Sequence, residues 1–186
     1  MEIIKEMEVN KLLKMQIIVI IVCLILGALL HFTYQWSGEN LLVASLSAVN
    51  ESVWEHLKLV FYPMLIMAII EYPFVRQIVN NYIEAKIIGI FVAMSFMLVS
   101  FFTYTGILGT NFAIINILIF IISIILGEWI VYKLMNRNNE STTITKVLAS
   151  IITVFFLICF IVFTYNTPEV NLFRDYTTGE YGINRI

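Results

Sequence analysis

An all-α, polytopic membrane helical bundle of about five transmembrane helices, with a short interfacial or re-entrant helix before the second, is the fold class this sequence predicts. Three observations carry the prediction. Hydrophobic residues make up 60% of the chain and charged ones only 13%, against about 25% charged in an average soluble domain, and the mean hydropathy is +0.91. The apolar residues gather into five runs of about 20 residues, the length that crosses a bilayer core. The polar residues gather in the connections between those runs. At 186 residues the chain reads as one integral-membrane domain, 1–186, made of a lead-in (1–14), a helical bundle (15–165) and a tail (166–186).

The lead-in mixes Glu2, Lys5, Glu6, Glu8, Lys11 and Lys14 with apolar residues. The first run, Met15 to about Tyr34, follows lysines as a signal peptide would, but lacks a small-x-small cleavage site and is read as an uncleaved helix. Gly38 and Asn40 predict a turn. Leu41 to Val49 is apolar but too short to span, hence the interfacial or re-entrant helix. The second span is expected at about Val53 to Val75, with a kink at Pro63, where the ring removes a backbone hydrogen bond. The third is expected over about Ala85 to Thr105 and the fourth over about Phe112 to Leu134, joined by a tight Gly106–Asn111 connection. Met135 to Thr145 is the most polar loop, and Lys146 to Tyr165 is the fifth span. The tail combines aromatics with turn residues and adjacent opposite charges at Arg174 and Asp175, a composition unlike a disordered terminus, and is expected to fold back over the end of the bundle.

Lys and Arg are retained on the cytoplasmic side of membrane proteins. With five spans, one side collects Lys5, Lys11, Lys14, Arg76, Lys86, Lys133, Arg137 and Lys146, eight of the eleven basic residues, and the other only Lys58, Arg174 and Arg185. The expected localisation is therefore the cell membrane, multi-pass, with a cytoplasmic N-terminus and an external C-terminus. The lipid bilayer is the first partner. A net charge of −2 gives no reason to expect nucleic acid. Cys23 and Cys159 both lie in apolar runs, which argues against a disulfide framework or thiolate metal site.

One polar island stands out: Asn50-Glu51-Ser52-Val53-Trp54-Glu55-His56-Leu57-Lys58. Residues three or four apart share a helix face, so Glu51, Glu55 and Lys58 are expected on one stripe, Ser52 and His56 on the next, and Asn50 and Trp54 on a third. A carboxylate, an imidazole and a hydroxyl together are the raw material of acid–base or nucleophilic catalysis. Ionisable groups at the rim of a membrane are functional by default. The same residues also fit a capping box, Ser52 with Glu55, with Trp54 as an interfacial anchor. A cap accounts for Ser52 and Glu55 better than for His56 and Asn50.

The expected topology brings His31, Tyr34, Trp36, Trp54, Arg174 and Asp175 to the same external mouth as candidate binding residues, with the Gly106 turn as a further wall. His31 and His56 are the two histidines of the chain. With Glu51, Glu55 or Asp175 they supply the ligand types of an open metal site. No H-E-x-x-H is present, and the ligand count favours a hydrogen-bonded, metal-free histidine pair over a divalent metal. Glu71 and Glu128, near the cytoplasmic span ends, are expected to pair with Arg76 and Lys133 or to snorkel.

The blocks His31-Phe-Thr-Tyr-Gln-Trp36-Ser-Gly, Ser47 to Lys58, Tyr104-Thr-Gly106-Ile-Leu-Gly109 and Phe173-Arg-Asp175 through Tyr181-Gly-Ile183 resemble, over nearly the whole chain, an uncharacterised family of small bacterial multi-pass membrane proteins. The Asn-Glu-Ser-x-Trp-Glu-His-x-Lys block is the specific part. The resemblance implies that the four blocks belong together and carries no activity with it. It also implies an acid where this chain has Asn116 and an amide where it has Glu128, so neither residue is expected to be catalytic.

Two functions fit these residues. One is a membrane-embedded hydrolase or transferase for a lipid-linked or apolar substrate, with His56 as base, Glu55 or Glu51 orienting it, Ser52 as nucleophile and Lys58 as electrostatic stabiliser. The alternative is a binding or transport component for a polar small molecule, with Pro63 as a point of gating. A structural or accessory role is the third reading.

Overall fold

The computed structural model describes residues 2–137 and 140–183, with side chains from residue 10 onward. The side chains of Lys5 and Arg185, which enter the basic-residue tally, lie outside them. The helices are α1 (Glu2–Trp36), α2 (Leu41–Ala44), α3 (Val53–Val75), α4 (Tyr82–Leu108), α5 (Ala113–Arg137) and α6 (Thr143–Tyr165), followed by one 3-10 turn at Asn171–Phe173. Five of them are long and apolar enough to cross a membrane. Among the described residues there is no strand, only an isolated antiparallel bridge between Arg174 and Tyr181.

Helix α3 is the hub. Of its most apolar window 61% is buried, against 17% to 33% for the other four spans, and it packs against α1 and α4 while α4 packs along α5. The core around it includes Val60, Phe61, Met64, Met94 and Phe160. Outward-facing Ile18, Ile25, Ile117, Ile151 and Phe155 remain exposed, as lipid-facing residues must. The helix is unbroken through Pro63 and Pro73. The Leu59 carbonyl, which Pro63 cannot bond, faces α1 at Gly27, where an added Cβ would lie 2.5 Å from it. Helices α4 and α5 approach equally closely, since a Cβ on Gly127 would sit 2.7 Å from the Gly89 carbonyl, the small-residue contact common between membrane helices.

Two boundaries differ from expectation. Helix α4 starts at Tyr82 and runs through Gly106 to Leu108, ending at Gly109 with φ of 70°. The re-entrant element has only four helical residues, capped by Asn40, and continues as an irregular segment. Irregular backbone at this depth needs partners, and long-range side chains supply them. Lys58 Nζ donates to the carbonyls of Ala44 (2.9 Å) and Ser47 (3.2 Å), Tyr62 to that of Ser45 (2.9 Å), and Tyr165 to that of Leu41. Ser47, fully buried, ties the segment to α1 through Leu30 O and the Tyr34 N–H.

The largest departure lies near the opposite end of the bundle. Glu71 and Glu128 do not pair with Arg76 and Lys133, nor do they reach water. Both are buried and both bond Lys86, at 2.6 and 2.9 Å, while Arg76 and Lys133 lie over the rings of Tyr72 and Trp129. Desolvated carboxylates gain far more from a buried ammonium than from a cation that water already solvates.

Candidate functional site

The polar island is split by the start of α3. Ser52 is its N-cap, the hydroxyl accepting the Glu55 N–H at 3.3 Å, and Asn50 Oδ1 accepts the Ser52 N–H at 2.9 Å. Only half of the expected capping box forms, because the Glu55 carboxylate turns away to accept the Val49 N–H (3.0 Å) and Lys58 Nζ (2.6 Å). Lys58 is wholly buried and its three donors are spent on Glu55, Ala44 O and Ser47 O. Neither residue of this pair faces open space. Glu51 precedes the helix and is freed from its periodicity, so it points the other way.

There Glu51 meets both histidines. Its Oε1 lies 3.5 Å from His31 Nε2 and its Oε2 lies 3.4 Å from His56 Nε2. The two rings stand 5.3 Å apart edge to face, and ligand atoms of the three residues all fall within 4.8 Å of one another. The two imidazoles beside Glu51 hold its carboxyl below the usual carboxylate range. His56 Nδ1 lies 2.8 Å from the Ser52 carbonyl, which can only accept. That bond keeps a proton on Nδ1, so His56 meets Glu51 through an Nε2 N–H as the imidazolium and offers Nε2 as a lone pair only when the ring is neutral.

These separations are long for N–H···O bonds, whose usual value is about 2.9 Å. The two contacts use different oxygens of the carboxylate, and one ligand atom from each residue lies within 4.8 Å of the others, a spread that a divalent ion would have to draw in to reach ligand distances of ~2.0–2.2 Å. Two imidazole nitrogens plus one carboxylate, with a backbone carbonyl orienting one ring from behind, make up the ligand set and outer support of an open divalent site.

Glu51 and His56 form one wall of a cleft of about 130 Å³, lined also by Val53, Met97, Phe101, Asn111, Asn116, Ile119, Tyr176 and Thr177, with His31 behind Glu51. Tyr104 donates its hydroxyl proton to Asn116 Oδ1, which leaves the Asn116 amide NH2 as the donor available to the cleft. The tail is the lid. Phe173 is buried against Trp54 and Phe163, Tyr176 packs edge-on against Phe101, and Asn50 Nδ2 donates to the Gly182 carbonyl. Asp175 is a strut rather than a ligand. Its Oδ2 accepts the Glu51 N–H at 3.2 Å and its Oδ1 accepts the N–H groups of Thr177 and Thr178 and the Thr177 hydroxyl. Burial alone would raise this carboxyl, but these donors outweigh it and hold it low.

Of the residues expected at the site, the structure brings together His31, Glu51 and His56, with Asn50 and Asp175 supporting them. Glu55, Lys58 and Ser52 lie beside them in sequence but belong to the cap and the buried pair. Trp54 is no interfacial anchor. It sits in an aromatic cluster with Phe160, Phe163 and Phe173. Tyr34 is buried, Trp36 is exposed and stacks on Phe32, and Arg174 is exposed on the outer side of the tail. The Gly106 turn contributes Asn111 and not Gly106. Sequence reasoning missed Asn111 and Asn116 as lining groups, Asn116 having been set aside as not catalytic.

No curated protein and no solved structure matches the chain. A family profile does, over residues 3–183, nearly the whole length. The described fold covers that span with the four sequence blocks gathered at one end of a single bundle, and the chain belongs to the family of unknown function DUF6512.

Proposed function

We propose that this protein is a membrane-embedded, divalent-metal-dependent hydrolase acting on an ester or phosphoester of a lipid or another largely apolar molecule. The observation that carries the reading is the convergence of His31, Glu51 and His56, of which Glu51 and His56 line the cleft, with the Ser52 carbonyl holding His56 Nδ1 so that Nε2 faces Glu51. A metal-free base would keep that nitrogen open toward substrate, whereas here a carboxylate stands in front of it. His31, Glu51 and His56 would hold a divalent ion, which would supply the acidification of water that hydrolysis at neutral pH needs. In the net reaction the oxygen of water would bond to carbon or phosphorus, the bond to the alkoxide oxygen would break, and the proton given up by the water would pass to the alkoxide, so that ester plus water give acid plus alcohol. Val53, Met97, Phe101 and Ile119 receive the apolar part of the substrate, and the Asn116 amide donates to the oxygen that gains charge.

The site is proposed to open to the outside, with the N-terminus cytoplasmic. Burial of Lys86 and Lys58 in ion pairs removes one basic residue from each side of the tally, leaving seven against two, so the bias persists.

Purified protein loaded with Zn2+ is expected to hold about one metal per chain and to hydrolyse a fluorogenic acyl or phosphodiester lipid in mixed micelles. Chelation, His31→Ala, Glu51→Gln or His56→Ala is expected to abolish both. Metal retention in His56→Ala would overturn the reading. Metal binding without turnover, together with a co-purifying polar metabolite, would favour the transport alternative instead.

A further inference from the structure

The second ionic cluster lies in the other half of the bundle and takes no part in the proposed hydrolysis. Four elements converge there: α1 through Gln16, α3 through Glu71, α4 through Tyr82 and Lys86, and α5 through Glu128. Gln16, Glu71, Lys86 and Glu128 are each at most 3% exposed. Cys23 of α1 is the other titratable side chain within electrostatic reach. The donors are shared unequally. Glu71 Oε1 accepts Gln16 Nε2 at 2.5 Å and its Oε2 accepts Lys86 Nζ at 2.6 Å, while the single Tyr82 hydroxyl proton is shared between the Ala68 carbonyl at 2.8 Å and Glu71 Oε2 at 3.1 Å. Glu128 Oε2 accepts Lys86 Nζ at 2.9 Å, and its Oε1 is buried with no hydrogen-bond partner among the described residues. Lys86 completes its three donors on Gln16 Oε1 at 3.4 Å.

Two carboxyls therefore share one ammonium. The set is neutral only when one carboxyl carries a proton, and a buried net charge costs far more than a buried neutral acid. Glu71 has the donors that a carboxylate needs and Glu128 does not. We infer that Glu128 is a proton-binding site inside the membrane, neutral when loaded, and that its proton exchanges with the aqueous phase at the end of the bundle where α4 begins. That end is the nearer one, since Lys86 lies just over one turn into α4, which begins at Tyr82. Loading takes the cluster from a net charge of minus one to zero. A switchable charge in a low-dielectric bundle is the element that proton-coupled membrane proteins use. The site is independent of the His31–Glu51–His56 centre.

The test is infrared spectroscopy of the full chain in detergent, in H2O and D2O buffers. At neutral pH the wild type is expected to show the C=O stretch of one buried protonated carboxyl, which shifts in D2O and fades as the pH is raised. Glu128→Gln is nearly isosteric and should lose the band. Glu71→Gln should lose it too, since the remaining carboxyl then has the ammonium to itself and ionises. Lys86→Met should increase it about twofold, because two carboxyls are left without a cation. The inference fails if the wild type has no such band, if the band does not shift in D2O, or if it survives Glu128→Gln. The first two readings need no variant, and none of them depends on metal content or hydrolysis.

Discussion

Glu55 and Lys58 stand among the candidate catalytic residues in sequence, yet their surroundings assign them a holding role. Lys58 has three acceptors, one of them Glu55 and the other two the carbonyls of Ala44, at the end of α2, and of Ser47 in the irregular segment that follows. Lys58→Met would leave the Glu55 carboxylate buried with only the Val49 N–H and would strip both carbonyls, so it is expected to cost about 3–5 kcal/mol. Glu55→Gln keeps an acceptor for the ammonium and leaves both carbonyls bonded, so a smaller loss is expected. Thermal unfolding of both variants in detergent checks the order. Equal losses would show that the carbonyl bonds add nothing. The sequence already made His56 the residue that a cap does not explain. It could not separate Glu51 from Glu55, because helical periodicity assigns faces only inside a helix, and the N-cap falls between them at Ser52.

At the scale of elements, the five spans were legible because an apolar run of bilayer length has few alternative structures. Their polar interruptions were not. Lys86 reads as the end of a polar loop, but α4 begins at Tyr82 and carries Lys86 inward to two carboxylates contributed by other helices. Partners so distant in sequence leave no local signature. The tail is the opposite case, since its aromatic content foretold docking. Phe173 is the anchor, in contact with Trp54 and Phe163. Removing a buried Phe side chain costs about 3–5 kcal/mol when the site cannot collapse. Phe173 is the one buried apolar side chain of the described tail, with Leu172, Tyr176 and Tyr181 only partly covered, so Phe173→Ala is expected to loosen the tail while the bundle stays folded. Limited proteolysis should then cut between residues 167 and 180 far faster than in the wild type, with the helical circular dichroism signal unchanged. Equal protection would show that Asp175 and the Asn50–Gly182 bond suffice to hold the lid.

For the whole molecule, the two polar clusters occupy different levels of one bundle, with Val60, Phe61, Met64 and Met94 packed into the core that contains α3. The mouth with His31, Glu51 and His56 is reached from water, while the Lys86 cluster is enclosed. The basic residues are the ground for the proposed orientation, and the physiological reading of both sites depends on it. The positions that report it must be exposed, which excludes Lys58 and Asp175, both buried. Glu180 on the tail and Arg137 at the end of α5 are exposed and lie at opposite ends. Cys23 is fully buried and Cys159 lies within α6, so neither should react with a membrane-impermeant maleimide. In intact cells Glu180→Cys is expected to label at once and Arg137→Cys only after permeabilisation. The reverse pattern would place the hydrolytic mouth in the cytoplasm. It would also make the Glu128 proton exchange with the exterior, so one labelling experiment fixes the sidedness of both sites.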